Sequence, residues 1–254
     1  MSRRGHALAA FALAAVVALT GCTPDAEPIP TTTPTNVDLS QVDVTDGDRN
    51  GIEYVSGADA VDAVLAAMED GGPVAVSGWF QERADEDGAG PTRRLEIDFA
   101  GTETRFRAEV TASGVAVAVV VVAGRAYLTG DARLAGLLGV PEADGGVVCL
   151  ASDDRRVTAW APALSPSGLV ESILGDTDAV SLDPTGEPDE ETGTMEFVIG
   201  AGGSPIGSLV VSTTGPPVPL RLVAADPRGD VDLTFAWGED PGVTAPTDVA
   251  VPCP

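Results

Sequence analysis

The segment Gly114–Gly130, GVAVAVVVVAGRAYLTG, limits the fold more than any other part of the chain. From Val115 to Ala123 it carries no charge and no side chain able to form a hydrogen bond. The ten residues from Gly114 to Ala123 fall well short of the ~20 that a membrane-spanning helix requires, so the segment reads as a strand. Successive side chains of a strand point to opposite faces. Val115, Val117, Val119 and Val121 share one face; Ala116, Ala118, Val120 and Val122 share the other. Both faces are apolar, and both need cover from water.

The flanking sequence supplies partners. Residues 57–71 place Val61, Val64, Leu65 and Met68 at i, i+3, i+4 and i+7, the stripe of an amphipathic helix. Ser56 and Asp59 resemble a capping box, and Gly71-Gly72 ends the helix. PVAVSGWFQER then reads as a strand, ADEDGAGPT as a loop, and RRLEIDFAG and TRFRAEVTASG as alternating strands. With the valine run and RAYLTG, split at Ala123-Gly124, they make a five-stranded antiparallel meander. RLAGLLG is expected to be a short helix and GGVVCLAS a strand or an extended segment. Ser165-Pro166 opens another helix with the stripe Leu169, Val170, Ile173 and Leu174. After an acidic loop, DPTGEPDEETG, come the strands TMEFVIG, PIGSLVVSTTG, VPLRLVAADP and DVDLTFAWG, the last two joined by a turn at Asp226–Asp230. The expected class is α+β, an antiparallel sheet with two or three helices on one face.

The N-terminus carries a different message. Arg3 and Arg4 precede an apolar run from Ala7 to Leu19, the charged and hydrophobic regions of a secretory signal. Leu19-Thr20-Gly21-Cys22 resembles the lipobox of bacterial lipoproteins, which implies cleavage after residue 21 and lipid on the Cys22 sulfur. Residues 22–56 are rich in Pro, Thr and Asp and read as a lipidated, extended tether. That leaves 57–254, about 200 residues, as one domain large enough for a substantial core. The expected location is the outer face of the cell membrane, held there by the N-terminal lipid.

Composition removes whole classes of function. The chain holds 39 acidic and 14 basic residues, and every basic residue is Arg. With a net charge of −25 it lacks the basic surface that nucleic-acid binding needs. The single His, His6, lies in the signal segment, so the mature protein has no imidazole for Ser-His-Asp or Cys-His catalysis or for His-based metal sites. Asp46, Asp48, Asn50 and Gly51 begin like a calcium-binding loop, but Glu53 stands where an apolar residue belongs and Gly57 where the bidentate Glu is required. No metal or cofactor is expected. Cys149 and Cys253 remain outside the cytoplasm as an even pair, expected to form a disulfide; the alternative is a buried free Cys149 and a loose Cys253.

The order of pieces, with GADAVDAVLAAMEDGGPVAVSG, VVVVAGRAYLTG, and a C-terminal hairpin carrying Trp237 and the VTAP tail, resembles the LppX–LprAFG lipoproteins of mycobacteria, within the wider LolA-like superfamily of lipid and lipoprotein carriers. The resemblance spans residues 57–247. It implies a half-barrel sheet wrapped around helices, with an apolar cavity between them that holds acyl chains. The lining it implies is Val61, Leu65, Met68, Val117, Val119, Val121, Leu169, Ile173 and Phe235. One face of the valine strand would then meet helices and ligand, and the other would lie under a loop or the C-terminal tail.

The expected function is therefore an envelope lipoprotein, not an enzyme, that binds or transports an acyl lipid or lipoglycan. The alternative is a tethered scaffold with a filled core that touches other envelope proteins through its acidic surface. An enzyme using carboxylates alone is the least supported, since no pair stands out among the 39 acids, and Trp79, Trp160 and Trp237, able to stack sugars, suit packing as well.

Overall fold

Eleven strands join edge to edge in one antiparallel sheet. The computed structural model describes residues 49–83, 92–160, 163–176, 178–226 and 229–253, all within one compact unit, Asp46–Pro254. The strands are β1 (Val74–Arg83), β2 (Thr92–Thr102), β3 (Arg105–Ala112), β4 (Val115–Val122), β5 (Arg125–Gly130), β6 (Val148–Ala151), β7 (Val180–Pro184), β8 (Thr194–Ala201), β9 (Ser204–Ser212), β10 (Pro219–Asp226) and β11 (Gly229–Trp237). Their order, β6-β5-β4-β3-β2-β1-β11-β10-β9-β8-β7, shows two meanders joined in the middle by β1 and β11. The sheet is open, with β6 and β7 at its edges. Among the described residues four α-helices accompany it: α1 (Ala58–Asp70), α2 (Ala132–Leu137), α3 (Arg155–Thr158) and α4 (Pro166–Leu174). The α+β class and the antiparallel sheet agree with the sequence. The helix count is one higher than expected, because the four-residue α3 was not foreseen.

The first meander follows from alternation. β3 buries Phe106, Ala108, Val110 and Ala112 and exposes the residues between them. β4 is the valine run, and its tight connections are two-residue turns. Ser113-Gly114 links Ala112 to Val115, and Ala123-Gly124 links Val122 to Arg125. All four turn residues have positive φ, between 51° and 75°, the backbone that matches the twist of the flanking strands and that Gly adopts without strain.

The two faces of β4 differ. Val117, Val119 and Val121 are buried in the core, whereas Ala116 is exposed and Ala118, Val120 and Val122 are half-buried. The C-terminal tail reaches this side of the sheet, where the Val243 carbonyl accepts from the guanidinium of Arg105, on the outer face of β3, at 3.2 and 2.9 Å. It runs along the β6 edge, where Val251 bridges Val148 in parallel and the Val251 carbonyl accepts from the Cys149 amide at 3.0 Å. The outer face of β4 also has lateral neighbours: Arg107 and Tyr127 flank Val120, and Glu109 and Thr129 flank Ala118. Long side chains beside valine can cover apolar surface with their stems while their heads stay in water.

Both sheet edges are covered by chain segments, the usual protection against edge-to-edge association. Cys149 is bonded to Cys253, fixing the tail on the β6 side. On the other edge Gly57 exchanges backbone hydrogen bonds with Leu182 of β7, at 2.8 and 3.2 Å. This contact corrects the expected start of α1. Its N-cap is Gly57, in a positive-φ conformation with no side-chain cap, rather than a Ser56–Asp59 capping box. The domain also begins earlier than residue 57. Arg49 bridges Thr214, Ile52 is 2% exposed inside a 3₁₀ turn (Ile52–Tyr54), and Asn50 donates to the Ser212 and Gly215 carbonyls. The Asn50 side chain, a candidate calcium ligand by sequence, is committed to these bonds and to the Ile52 amide. Asp46, Asp48, Cys22 and the rest of the expected signal and tether before Arg49 lie outside the described residues, as do most of the ADEDGAGPT loop and Pro227-Arg228.

Candidate ligand-binding cavities

The two meanders are covered unequally. Over the second, α1 contacts β7 and packs against α4. α1 buries Ala60, Val61, Val64, Ala67 and Met68, and α4 buries Pro166, Leu169, Val170 and Leu174. Ser165 caps α4 by accepting from the Gly168 amide at 3.2 Å, and Glu103 from the β2–β3 turn accepts from Ser167 Oγ at 2.6 Å. Beneath lie Phe197, Ile199, Leu209, Leu222 and Leu233, all 0% exposed. Over the first meander the cover is short: six-residue α2, which contacts β4 and β5, and α3.

Cavities open along this thinner cover. One, about 530 Å³, has Leu95, Ala112 and Val115 as its floor, at the ends of β2, β3 and β4. Leu134, Leu137 and Leu138 from α2 form one wall; Ala159 and Trp160 follow α3 on another. Arg93, Arg155 and Arg156 complete the lining. Leu137 is 68% exposed, a large apolar side chain left at the mouth. A second cavity of about 380 Å³ sits at the opposite end of β3 and β4, around Phe106, Val121, Val157 and Leu164. Ala112 and Phe106 are six residues apart on one strand, so the two openings are separated by roughly 20 Å. A third, about 320 Å³, adjoins Met68, Val74, Phe99 and Trp237, and its lining includes Glu69, Asp70 and Glu103.

α2 and α3 are pinned to each other at the 530 Å³ cavity. Asp131 caps α2 by accepting from the Arg133 and Leu134 amides, at 2.9 and 3.2 Å. Asp154 caps α3 by accepting from the Arg156 amide at 2.9 Å, and it also takes the Arg156 guanidinium bidentately, at 3.0 and 2.7 Å. The same guanidinium donates to the Leu138 carbonyl at the end of α2, at 3.0 Å. The Arg156 hydrogen bonds hold the Asp154 carboxyl down at about 2, from an ordinary 3.8.

The residues expected to line one cavity belong to one core but not to one opening. Val61, Met68, Val117, Val119, Val121, Leu169 and Phe235 are all buried in it, and Leu65 and Ile173 are half-buried against it. Met68 reaches the 320 Å³ cavity and Val121 the 380 Å³ one. The arginines, Leu137 and Trp160 at the 530 Å³ cavity were not singled out as lining. A signal existed: Arg93-Arg94 and Arg155-Arg156 are paired arginines in a chain poor in basic residues. The other tryptophans have structural partners. Arg94 stacks on Trp79 with its guanidinium carbon 3.9 Å from the ring centroid, and Trp237 Nε1 donates to the Pro219 carbonyl at 2.7 Å. Among the described residues, no three His, Cys, Asp or Glu side chains gather to hold a metal, and no helix is long and apolar enough to cross a membrane.

No protein-family model matches the chain, and no curated protein matches it in sequence. Among solved structures it is similar to LprF from Mycobacterium bovis, with a TM-score of 0.44 and 13% identity over 80% of this chain and 100% of that one. It is also similar to the Mycobacterium tuberculosis lipoprotein LppX, with a TM-score of 0.37 and 12% identity over 72% of this chain and 96% of that one. Both are members of the lipoprotein group that the sequence resembles.

Proposed function

We propose that this chain is a lipid-anchored envelope lipoprotein whose domain holds the acyl part of a lipid or lipoglycan, binding or moving it without chemical change. The observation that carries this reading is the 530 Å³ cavity, floored by the core face of β2–β4 and open at Leu137. Its volume lies within the roughly 300–1,000 Å³ of ordinary ligand sites. Each methylene moved from water into such a cavity contributes about 0.8 kcal/mol, so part of one chain suffices for micromolar binding. The Leu19–Cys22 lipobox and the Pro/Thr/Asp segment after it support an anchor and tether on the outer face of the membrane.

A second reading, a tethered scaffold with a filled interior that docks other envelope proteins, draws on the burial of Val61, Val117, Val119, Leu169 and Phe235 within the core. The two separate in one experiment. The full chain, purified beside a Val115→Phe variant that fills the cavity floor, is extracted with organic solvent and its lipids are quantified by mass spectrometry. The carrier reading expects about stoichiometric lipid on the natural chain and a several-fold loss on the variant, at an unchanged melting temperature. Equal traces of lipid on both leave the scaffold.

A further inference from the structure

The 530 Å³ cavity departs from the charge of the molecule around it. The chain has 39 acidic residues against 14 basic ones, two of which, Arg3 and Arg4, lie in the signal segment. Yet the lining of this cavity holds three arginines and no carboxylate. The 320 Å³ cavity shows the opposite, with Glu69, Asp70 and Glu103 and no basic residue. Net acidity does not create such a contrast; the arginines gather by placement. Arg93 lies two residues before Leu95 on β2, and therefore on the same, core-side face. Arg155 and Arg156 come from α3, across the opening.

The arginines are not equivalent. Arg156 spends its guanidinium on Asp154 and the Leu138 carbonyl, which makes it the bolt between α3 and α2. Arg155 is exposed, and its guanidinium has no hydrogen-bond or ion-pair partner among the described residues. A planar guanidinium at the mouth of an apolar cleft is suited to bidentate recognition of an oxyanion. The tail of such a ligand would meet Leu95, Ala112, Val115 and Leu134.

We infer that this cavity selects a phosphate-bearing amphiphile, bound tail inward with its phosphate on Arg155. The inference rests on the carrier reading above and adds the class of headgroup. Its test uses the full chain with Cys22→Ser, titrated at low salt and below micelle formation with dodecyl phosphate, dodecyl maltoside and inorganic phosphate, and followed by tryptophan fluorescence. Dodecyl phosphate is expected to bind about tenfold tighter than dodecyl maltoside, the scale of a hydrogen bond to a charged group, with inorganic phosphate far weaker than either. Arg155→Gln is expected to erase most of that preference at an unchanged melting temperature. Arg221→Gln, on β10 and paired with Asp232, is expected to keep it.

Equal binding of the two dodecyl compounds, unaffected by Arg155→Gln, overturns the headgroup assignment and leaves the carrier reading standing. Inorganic phosphate binding as well as dodecyl phosphate overturns it too, since the tail then has no part. If neither amphiphile binds, the assignment and the carrier reading fall together.

Discussion

The second meander and the first meander present similar apolar faces to the interior, yet only one is tightly roofed. α1, of 13 residues, contacts β7 and packs against nine-residue α4, each with a continuous buried stripe. Above β2–β5 stand α2 and α3, of six and four residues, and the 530 and 380 Å³ cavities lie beside them, while the 320 Å³ one lies between the C-terminal end of α1 and the start of α4. A helix turn advances 5.4 Å, so α3 is about one turn long and cannot span strands of eight residues or more. The lesson is that room for a ligand here comes from short roof helices rather than from small side chains in the sheet, because Val117 and Val119 remain fully packed.

The widest test of that contrast pairs one apolar truncation from each half. Phe197 on β8 is 0% exposed, so Phe197→Ala should cost about 3–5 kcal/mol of folding stability in urea unfolding. Leu137→Ala, at a side chain 68% exposed beside the 530 Å³ cavity, should change stability by less than about 0.5 kcal/mol. It should instead weaken binding of an acyl ligand by about 1 kcal/mol, roughly fivefold. A large stability loss from Leu137→Ala would mean that α2 is part of the packed core and that the two halves do not differ as argued.

The edges of the sheet extend the comparison. Among the described residues β7 is covered by a backbone bridge to Gly57, whereas β6 is covered by the tail and the Cys149–Cys253 bond. That bond closes a loop with a sequence separation of 104, for which removing denatured-state entropy contributes about 2–4 kcal/mol. Cys149 sits opposite Tyr127, which is 7% exposed on the outer face of β5. Cys149→Ala with Cys253→Ala should lower stability by that amount and raise the exposure of Tyr127 to solvent quenchers. Val64 and the α1 side should keep their protection in hydrogen exchange. Loss of protection across the whole sheet would show that the tail holds more than the first meander.

How much of this was legible in the sequence follows the same division. β1 to β5 and β8 to β11 could be read because alternation or an apolar run lasts six residues or more, and α1 and α4 because their stripes run two turns or longer. β7 was missed: VSLDP offers only Val180 and Leu182 before it merges with the acidic stretch. That stretch is itself a tight turn. Asp189 accepts from the Glu191 and Thr192 amides, and the Thr192 bonds hold its carboxyl below the usual range. α3 was missed because four residues carry no period. The Ser56–Asp59 box failed because the preference for Gly57 came from β7, more than a hundred residues away. The arginine mouth needed three dimensions for the same reason: Arg93 and Arg155 meet only after β2 and the loop beyond β6 are folded together.

The smallest expected effect concerns the bolt between the two short roof helices. Asp154 titrates at about 2 instead of 3.8, chiefly through the Arg156 guanidinium and amide. A carboxyl with a depressed folded pKa contributes fully above its unfolded value and loses that contribution as pH falls through the folded one. The α3–α2 link should therefore hold down to about pH 4 and release between about pH 4 and 2. Arg156 is exposed and Asp154 half-buried at the surface, so water screens the pair and global unfolding should barely register the change. The local consequence is what separates the halves, because the wall carrying Arg155, Ala159 and Trp160 would loosen while α1 and α4 stay in place. Asp154→Asn isolates the ion pair, since Asn remains a good N-cap. At neutral pH that variant should show faster release of bound dodecyl phosphate, with α3 still formed and the Phe197 core unaltered by NMR. An unchanged release rate would show that the cavity wall is held by its apolar contacts, Val157 above all, and that the charge pair merely decorates it.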